Sequence, residues 1–181
     1  RCVIMAEINL SYPVGKFVST DAPDAAHFQL WIRTIADFPA QLRQAVNELD
    51  DAALRWRYRP GGWTIRQVVH HCADSHMNAY TRFKLALTEE HPGIKPYNES
   101  AWAELADSQL PLEPSLILLE GLHQRWTALL EKMTPADFEA TFFHPEHGTV
   151  FSLSLALETY DWHCRHHLAH VLQAKELCFE E

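Results

Sequence analysis

The sequence predicts an all-α protein, a four-helix bundle with a long crossover between its second and third helices and a short hairpin-like insertion before the fourth. Three observations carry this. Four stretches repeat apolar residues at the helical period of 3.6. Residues 89–114 hold Pro92, Gly93, Pro96, Pro111 and Pro114, so they form neither one helix nor a tight turn. Finally, Pro145-Glu-His-Gly148 lies between the apolar pairs Phe142-Phe143 and Val150-Phe151, the pattern of two short strands around a turn.

Taken in order, residues 1–20 contain Pro13 and Gly15 and no helical period, and read as an extended arm on a single domain spanning 1–181. From Asp21, an expected N-cap, apolar residues recur at Phe28, Trp31, Ile32, Ile35, Leu42, Val46 and Leu49, a first helix kinked or broken at Pro39. After Arg59-Pro-Gly-Gly62, Thr64 and Gln67 have capping-box spacing and open the second helix. Its stripe is Ile65, Val68, Val69, Cys72, His76, Tyr80, Phe83 and Leu87. The crossover carries one short helical stretch near Glu99–Leu105, and its length allows parallel neighbouring helices. A third helix begins near Ser115 with Leu118, Leu119, Leu122, Trp126, Leu129 and Met133 inward, and Thr134-Pro135 starts a short helical turn. The fourth helix runs from about Ser152 to Leu177 on Leu157, Tyr160, Cys164, Leu168 and Val171.

Hydrophobic residues at 47% and charged residues at 22% predict a packed core. The formal charge of −9 argues against nucleic acid as a partner, which is held through clustered Lys and Arg. Cys2, Cys72, Cys164 and Cys178 form no CxxC pair or disulfide framework, and a reducing cytoplasm is the expected compartment. Cys72 and Cys164 lie on apolar stripes and read as small buried hydrophobes, and the tryptophans Trp31, Trp102, Trp126 and Trp162 read as core. Arg1-Cys-Val-Ile-Met5 lacks the apolar run of a signal peptide, and no stretch approaches a membrane span, so neither export nor a membrane partner is expected.

The compositional outlier is histidine, with 12 residues. On the fourth helix His163 and His167 stand one turn apart, and an i, i+4 pair can close on one metal ion. His170 shares their shoulder of the helix with the small residues Ala156 and Ala174, while His166 points towards Trp162. Two residues do not complete a site, so a third ligand is expected from a facing helix, and His70-His71 is the source. His71 aligns with the polar row Ser75, Asn78 and Arg82, whereas His70 falls near Met77, which favours His71. Three imidazoles with an open position are a catalytic pattern, with zinc or nickel as the ion. Asn78, Arg82 and His170 are the candidate substrate contacts. Asp74, Glu158 and Asp161 are candidates to receive the second ring N–H of a ligand.

Several phrases resemble the YfiT-like branch of the DinB superfamily: Asn9-Leu-Ser-Tyr-Pro-Val-Gly15, Gly61-Gly-Trp-Thr-Ile-Arg-Gln-Val-Val-His-His71, Ala73-Asp-Ser-His-Met-Asn78, Arg82-Phe-Lys-Leu-Ala-Leu-Thr-Glu-Glu90, Pro96-Tyr97 and the His-rich last helix. The resemblance covers residues 8–175. It implies a four-helix bundle with a long second crossover, metal-dependent hydrolysis as the activity, and a homodimer. The ligands it implies are the second histidine of the pair, His71, and the HxxxH residues His163 and His167. His170 stands where many wider-superfamily members carry glutamine. The resemblance also implies, as an alternative activity, S-transfer of low-molecular-weight thiols such as bacillithiol.

Two chemistries follow from an open position on the ion. In one, a metal-bound water hydrolyses a small-molecule substrate. In the other, a metal-bound thiolate from a small thiol attacks an electrophile. No GxSxG elbow or catalytic cysteine is present, and the residues name no protein base. A metal-stabilised protein without turnover is the non-enzymatic alternative.

Overall fold

The structure, a computed structural model, describes residues 9–180; the arm's residues 1–8, with Cys2, lie outside the described residues. Helix α1 spans Ala25–Val46 and is capped by Asp24, whose carboxylate accepts from Ala26 N and His27 N. The expected cap at Asp21 is therefore corrected by three residues. Pro23 disfavours helical backbone at the residue before it, and Ala22 takes a positive φ of 50° instead. Pro39 neither breaks nor ends α1, which runs through it to Val46.

Helix α2 spans Ile65–Thr88 and opens on the expected capping box, with Thr64 and Gln67 each accepting from the other's backbone N–H. The turn before it needs its glycines. Gly61 sits at φ +65°, and a Cβ on Gly62 would stand 2.9 Å from Arg59 Cγ and 3.0 Å from the Tyr58 ring. The crossover contains α3, Glu99–Trp102, and a 3₁₀ turn at Ala106–Gln109. Helix α4 spans Glu113–Leu130, α5 spans Pro135–Phe138, and strands β1 (Thr141–His144) and β2 (Thr149–Ser152) pair antiparallel with Phe142 opposite Phe151. Gly148 supplies the positive φ of the turn between them. Helix α6, Leu153–Leu177, starts from Ser152, whose hydroxyl accepts from Leu155 N.

The long helices α1, α2, α4 and α6 make a four-sided bundle in which α1 packs on α4 and α6, and α2 packs on the same two. Trp126, Phe38, Phe83, Ile35, Leu42 and Leu119 fill its centre. One face differs from expectation. Helix α4 buries Leu116, Leu119, His123, Trp126 and Leu130, while Leu118 is 43% exposed. The run Leu116-Ile-Leu-Leu119 is apolar on every side, so periodicity does not say which way this helix turns. Residues 9–20 lie along α6 as an arm, held by Trp162 Nε1–H donating to Gly15 O at 3.0 Å, Gln173 to Leu10 O at 2.9 Å, and Thr20 N–H to Glu158 at 2.7 Å. Among the described residues, no helix is long and apolar enough to cross a membrane.

Candidate metal centre

The three predicted ligands converge. His71, two turns into α2, and His163 and His167, one turn apart on α6, bring a ring nitrogen each to within 4.8 Å of one another. His71 Nε2 lies 3.3 Å from His163 Nε2. Nitrogens bound tetrahedrally to an ion at about 2.0–2.1 Å stand about 3.3–3.4 Å apart, so this pair already has the spacing of two ligands of one ion. His71 is held in place by Trp63, whose ring centroid is 4.7 Å away, at the end of the glycine turn.

Burial keeps these rings neutral, the form that ligates. It pushes His71 down to about 4, with His166 adding to the effect, and holds His163 and His167 well below the ordinary value, with the neighbouring histidines as the second cause. A neutral ring has one N–H and one lone pair, so what matters is which nitrogen faces the site. His163 Nδ1 lies 3.0 Å from His76 Nε2, and His167 Nδ1 lies 3.4 Å from His170 Nδ1. Each thus turns Nδ1 away to a second histidine and leaves Nε2 free to face an ion. Three neutral nitrogen donors, on the buried rings of His71 and His167 and the half-buried ring of His163, fit a divalent transition metal.

The partners expected for those ring N–H groups are corrected. Asp161 accepts from Arg165 on its own helix at 2.7 Å, Glu158 accepts from Thr20 N, and among the described residues the Asp74 carboxylate makes no hydrogen bond to His71, His163 or His167. His76 and His170 take that place. His70 is spent elsewhere, 2.7 Å from Ser115 Oγ and donating or accepting nothing towards the triad, with Nε2 3.0 Å from Leu110 O. His166 stacks on Trp162 at 4.3 Å, as its position on the helix predicts.

A cavity of about 250 Å³ opens beside His163, between α2, α6, the start of the crossover and the hairpin. Arg82 lines it. Asn78 is not among its walls, because its amide turns back to donate to Asp74 O at 2.9 Å on the same helix. His170 is not among them either: it stacks face to face on Tyr58 at 3.7 Å behind His167, with Nε2 3.3 Å from Ser11 O. The arm and the turn before α2 occupy the side on which a substrate would have had to approach it.

Residues that the sequence did not name as ligands or substrate contacts complete the site. Ser75 Oγ lies 3.4 Å from His163 Nε2 and 3.2 Å from Tyr160 OH. Two polar atoms in the cavity wall are buried without a partner, Tyr97 OH and His144 Nδ1. Burial holds His144 below its ordinary value, with Arg82 adding to the effect, so its ring is neutral. His144, Glu146 and His147 on the hairpin also bring donor atoms within 4.8 Å of one another, but Glu146 and His147 are exposed. The hairpin carries a signal in its cluster of two histidines and a glutamate; that it forms a wall of the cavity beside His163 does not follow from the local pattern.

The sequence profile of the DinB superfamily matches residues 34–171. A protein of Bacillus mycoides is 50% identical over 168 residues, covering 93% of this chain and 96% of that protein, and carries a provisional name as a metal-dependent hydrolase. YfiT of Bacillus subtilis, with the same provisional naming, is 48% identical over 171 residues, covering 93% of this chain and 96% of its own. The solved structure of YfiT superposes with a TM-score of 0.90, covering 93% of this chain and 97% of that one, and is described as a probable metal-dependent hydrolase with an unusual four-helix bundle topology.

Proposed function

The chain belongs to the DinB superfamily, and from that premise we propose that it is a metal-dependent hydrolase of small molecules, with zinc or nickel held by His71, His163 and His167. The observation that carries this is the convergence of three neutral imidazoles from two helices at the edge of a cavity. When bound, such an ion supplies Lewis acidity, lowering the pKa of a coordinated water towards about 7 and polarising a carbonyl oxygen.

The chain's own groups supply the rest. Phe83, Phe142 and Phe151 give the cavity apolar walls that take the hydrocarbon part of a substrate and exclude bulk water. Arg82 offers a guanidinium to a negatively charged or strongly polar end. His144, neutral and with an unpartnered buried Nδ1, is the group placed to take up a proton inside the cavity. Tyr97 OH, also unpartnered, can donate to a substrate oxygen.

The test is turnover of a panel of small amides, esters, epoxides and haloalkanes by the zinc- or nickel-loaded protein, each with and without a small thiol. Hydrolysis with water alone, abolished by a chelator, is the expected result. Turnover that requires the thiol and yields a thioether would replace hydrolysis by thiol transfer, and bound metal without turnover of either kind would leave a binding protein.

A further inference from the structure

From His163 a line of three imidazoles, its own included, crosses the whole bundle. His163 Nδ1 on α6 lies 3.0 Å from His76 Nε2 on α2, His76 Nδ1 lies 2.7 Å from His123 Nε2 on α4, and His123 Nδ1 lies 2.6 Å from Ile35 O on α1. The direction of the line follows from its last member. A carbonyl oxygen only accepts, so the proton is on His123 Nδ1. His123 Nε2 then accepts from His76 Nδ1–H, His76 Nε2 accepts from His163 Nδ1–H, and His163 Nε2 is left as a bare lone pair pointing at His71 and His167. The opposite order would place a proton on His163 Nε2 and block ligation.

The anchor has its own cause in the sequence. In an α-helix the carbonyl of residue 35 receives the N–H of residue 39, but residue 39 is proline and has none. Pro39 therefore leaves Ile35 O free, inside the bundle, and His123 donates to it. The helix tolerates this proline because a side chain from a neighbouring helix replaces the missing donor.

We propose that His76 and His123 are positioning residues for the metal centre, which through this one-way line hold His163 as its Nδ1–H tautomer with Nε2 presented to the ion. The inference rests on the metal reading above. Its alternative is a polar core that merely satisfies itself. Against that, His76 is 0% and His123 1% exposed, in contact with Phe38 and Trp126, where apolar side chains would pack without the cost of burying imidazoles. Moreover, the line ends on a ligand and not on another structural group. Outer hydrogen bonds of this kind orient a ligating histidine and raise its basicity.

Two measurements on the full chain decide it. Long-range ¹H–¹⁵N spectra of protein carrying ¹⁵N-histidine, taken without metal and with one equivalent of zinc, are expected to show His123 and His76 as Nδ1–H tautomers in both states. An Nε2–H tautomer at His76 overturns the inference, whatever the variants do. Zinc affinity by competition with a chromophoric chelator gives the second readout: His76→Leu is expected to weaken binding by about 10- to 100-fold, while His76→Gln, which still accepts through Oε1 and donates through Nε2, restores most of it. A folded His76→Leu protein that binds zinc as tightly as the unaltered chain overturns the positioning role and leaves the metal reading intact. Unaltered protein that binds no zinc defeats the metal reading itself, and the inference with it.

Discussion

His71 Nε2 and His163 Nε2 stand 3.3 Å apart although 92 residues and two different helices separate them. These two neutral nitrogens are brought together by the packing of α2 on α6. The arrangement makes sense as one edge of a coordination polyhedron, and it makes the metal centre the place where sequence changes should have the largest effect on function.

Metal content is the first check. His71→Ala, His163→Ala and His167→Ala should each lower zinc affinity by more than the about 10- to 100-fold that outer partners command. His70→Ala and His166→Ala should retain the ion, since one is bonded to Ser115 and the other stacked on Trp162. Elemental analysis after dialysis against a mild chelator reads this directly; full metal in all three ligand variants would remove the triad.

The dependence of stability on pH has a definite sign. Burial pushes His123 down to about 4, against an ordinary 6.5, with its bond to Ile35 O opposing the shift, so between these values the unfolded chain binds the extra proton. Its contribution is fully present above pH 6.5 and is lost as pH falls towards 4, at up to about 1.4 kcal/mol per pH unit. Burial moves His71 in the same direction, to about 4. Urea midpoints of metal-free protein should fall steeply across this window, and less steeply for His123→Leu. A flat profile from pH 6.5 to 4 would contradict the neutral, buried state of these rings.

The cap of α2 gives a stability effect separable from metal binding. Thr64→Ala removes the acceptor for Gln67 N at 3.1 Å and should cost about 1 kcal/mol. In a chain of this size that is about 2–4 °C in Tm. His71 is two turns further into the helix, so zinc affinity should stay close to that of the unaltered chain; calorimetry and metal titration on the same variant test both halves.

Charge preference should trace to Arg82. If this guanidinium meets the polar end of the substrate, Arg82→Ala should raise KM for anionic substrates by about tenfold, the lower end of what a charge-assisted bond contributes, because the cavity is partly open to solvent. Neutral substrates of the same shape should be nearly unaffected. Equal losses for both would assign Arg82 to the wall of the cavity alone.

What the sequence determined by itself lies within single elements. The capping box at Thr64, the hairpin around Pro145-Glu-His-Gly148, and the one-turn spacing of His163 and His167 are set by neighbours a few residues away, and each is found as expected. His71 and not His70 lies beside His163 and His167, because a helix puts consecutive residues about 100° apart and only one of them can share the polar row. The tertiary structure alone decided what lies across helices. The inward turn of His123, its donation to the Ile35 O that Pro39 leaves free, and the placing of His170 behind the site are fixed by how the four helices pack. Periodicity constrains which face of a helix is buried, but a hydrogen bond between His76 and His123, 47 residues apart, requires the relative rotation and height of two helices, which no local pattern encodes.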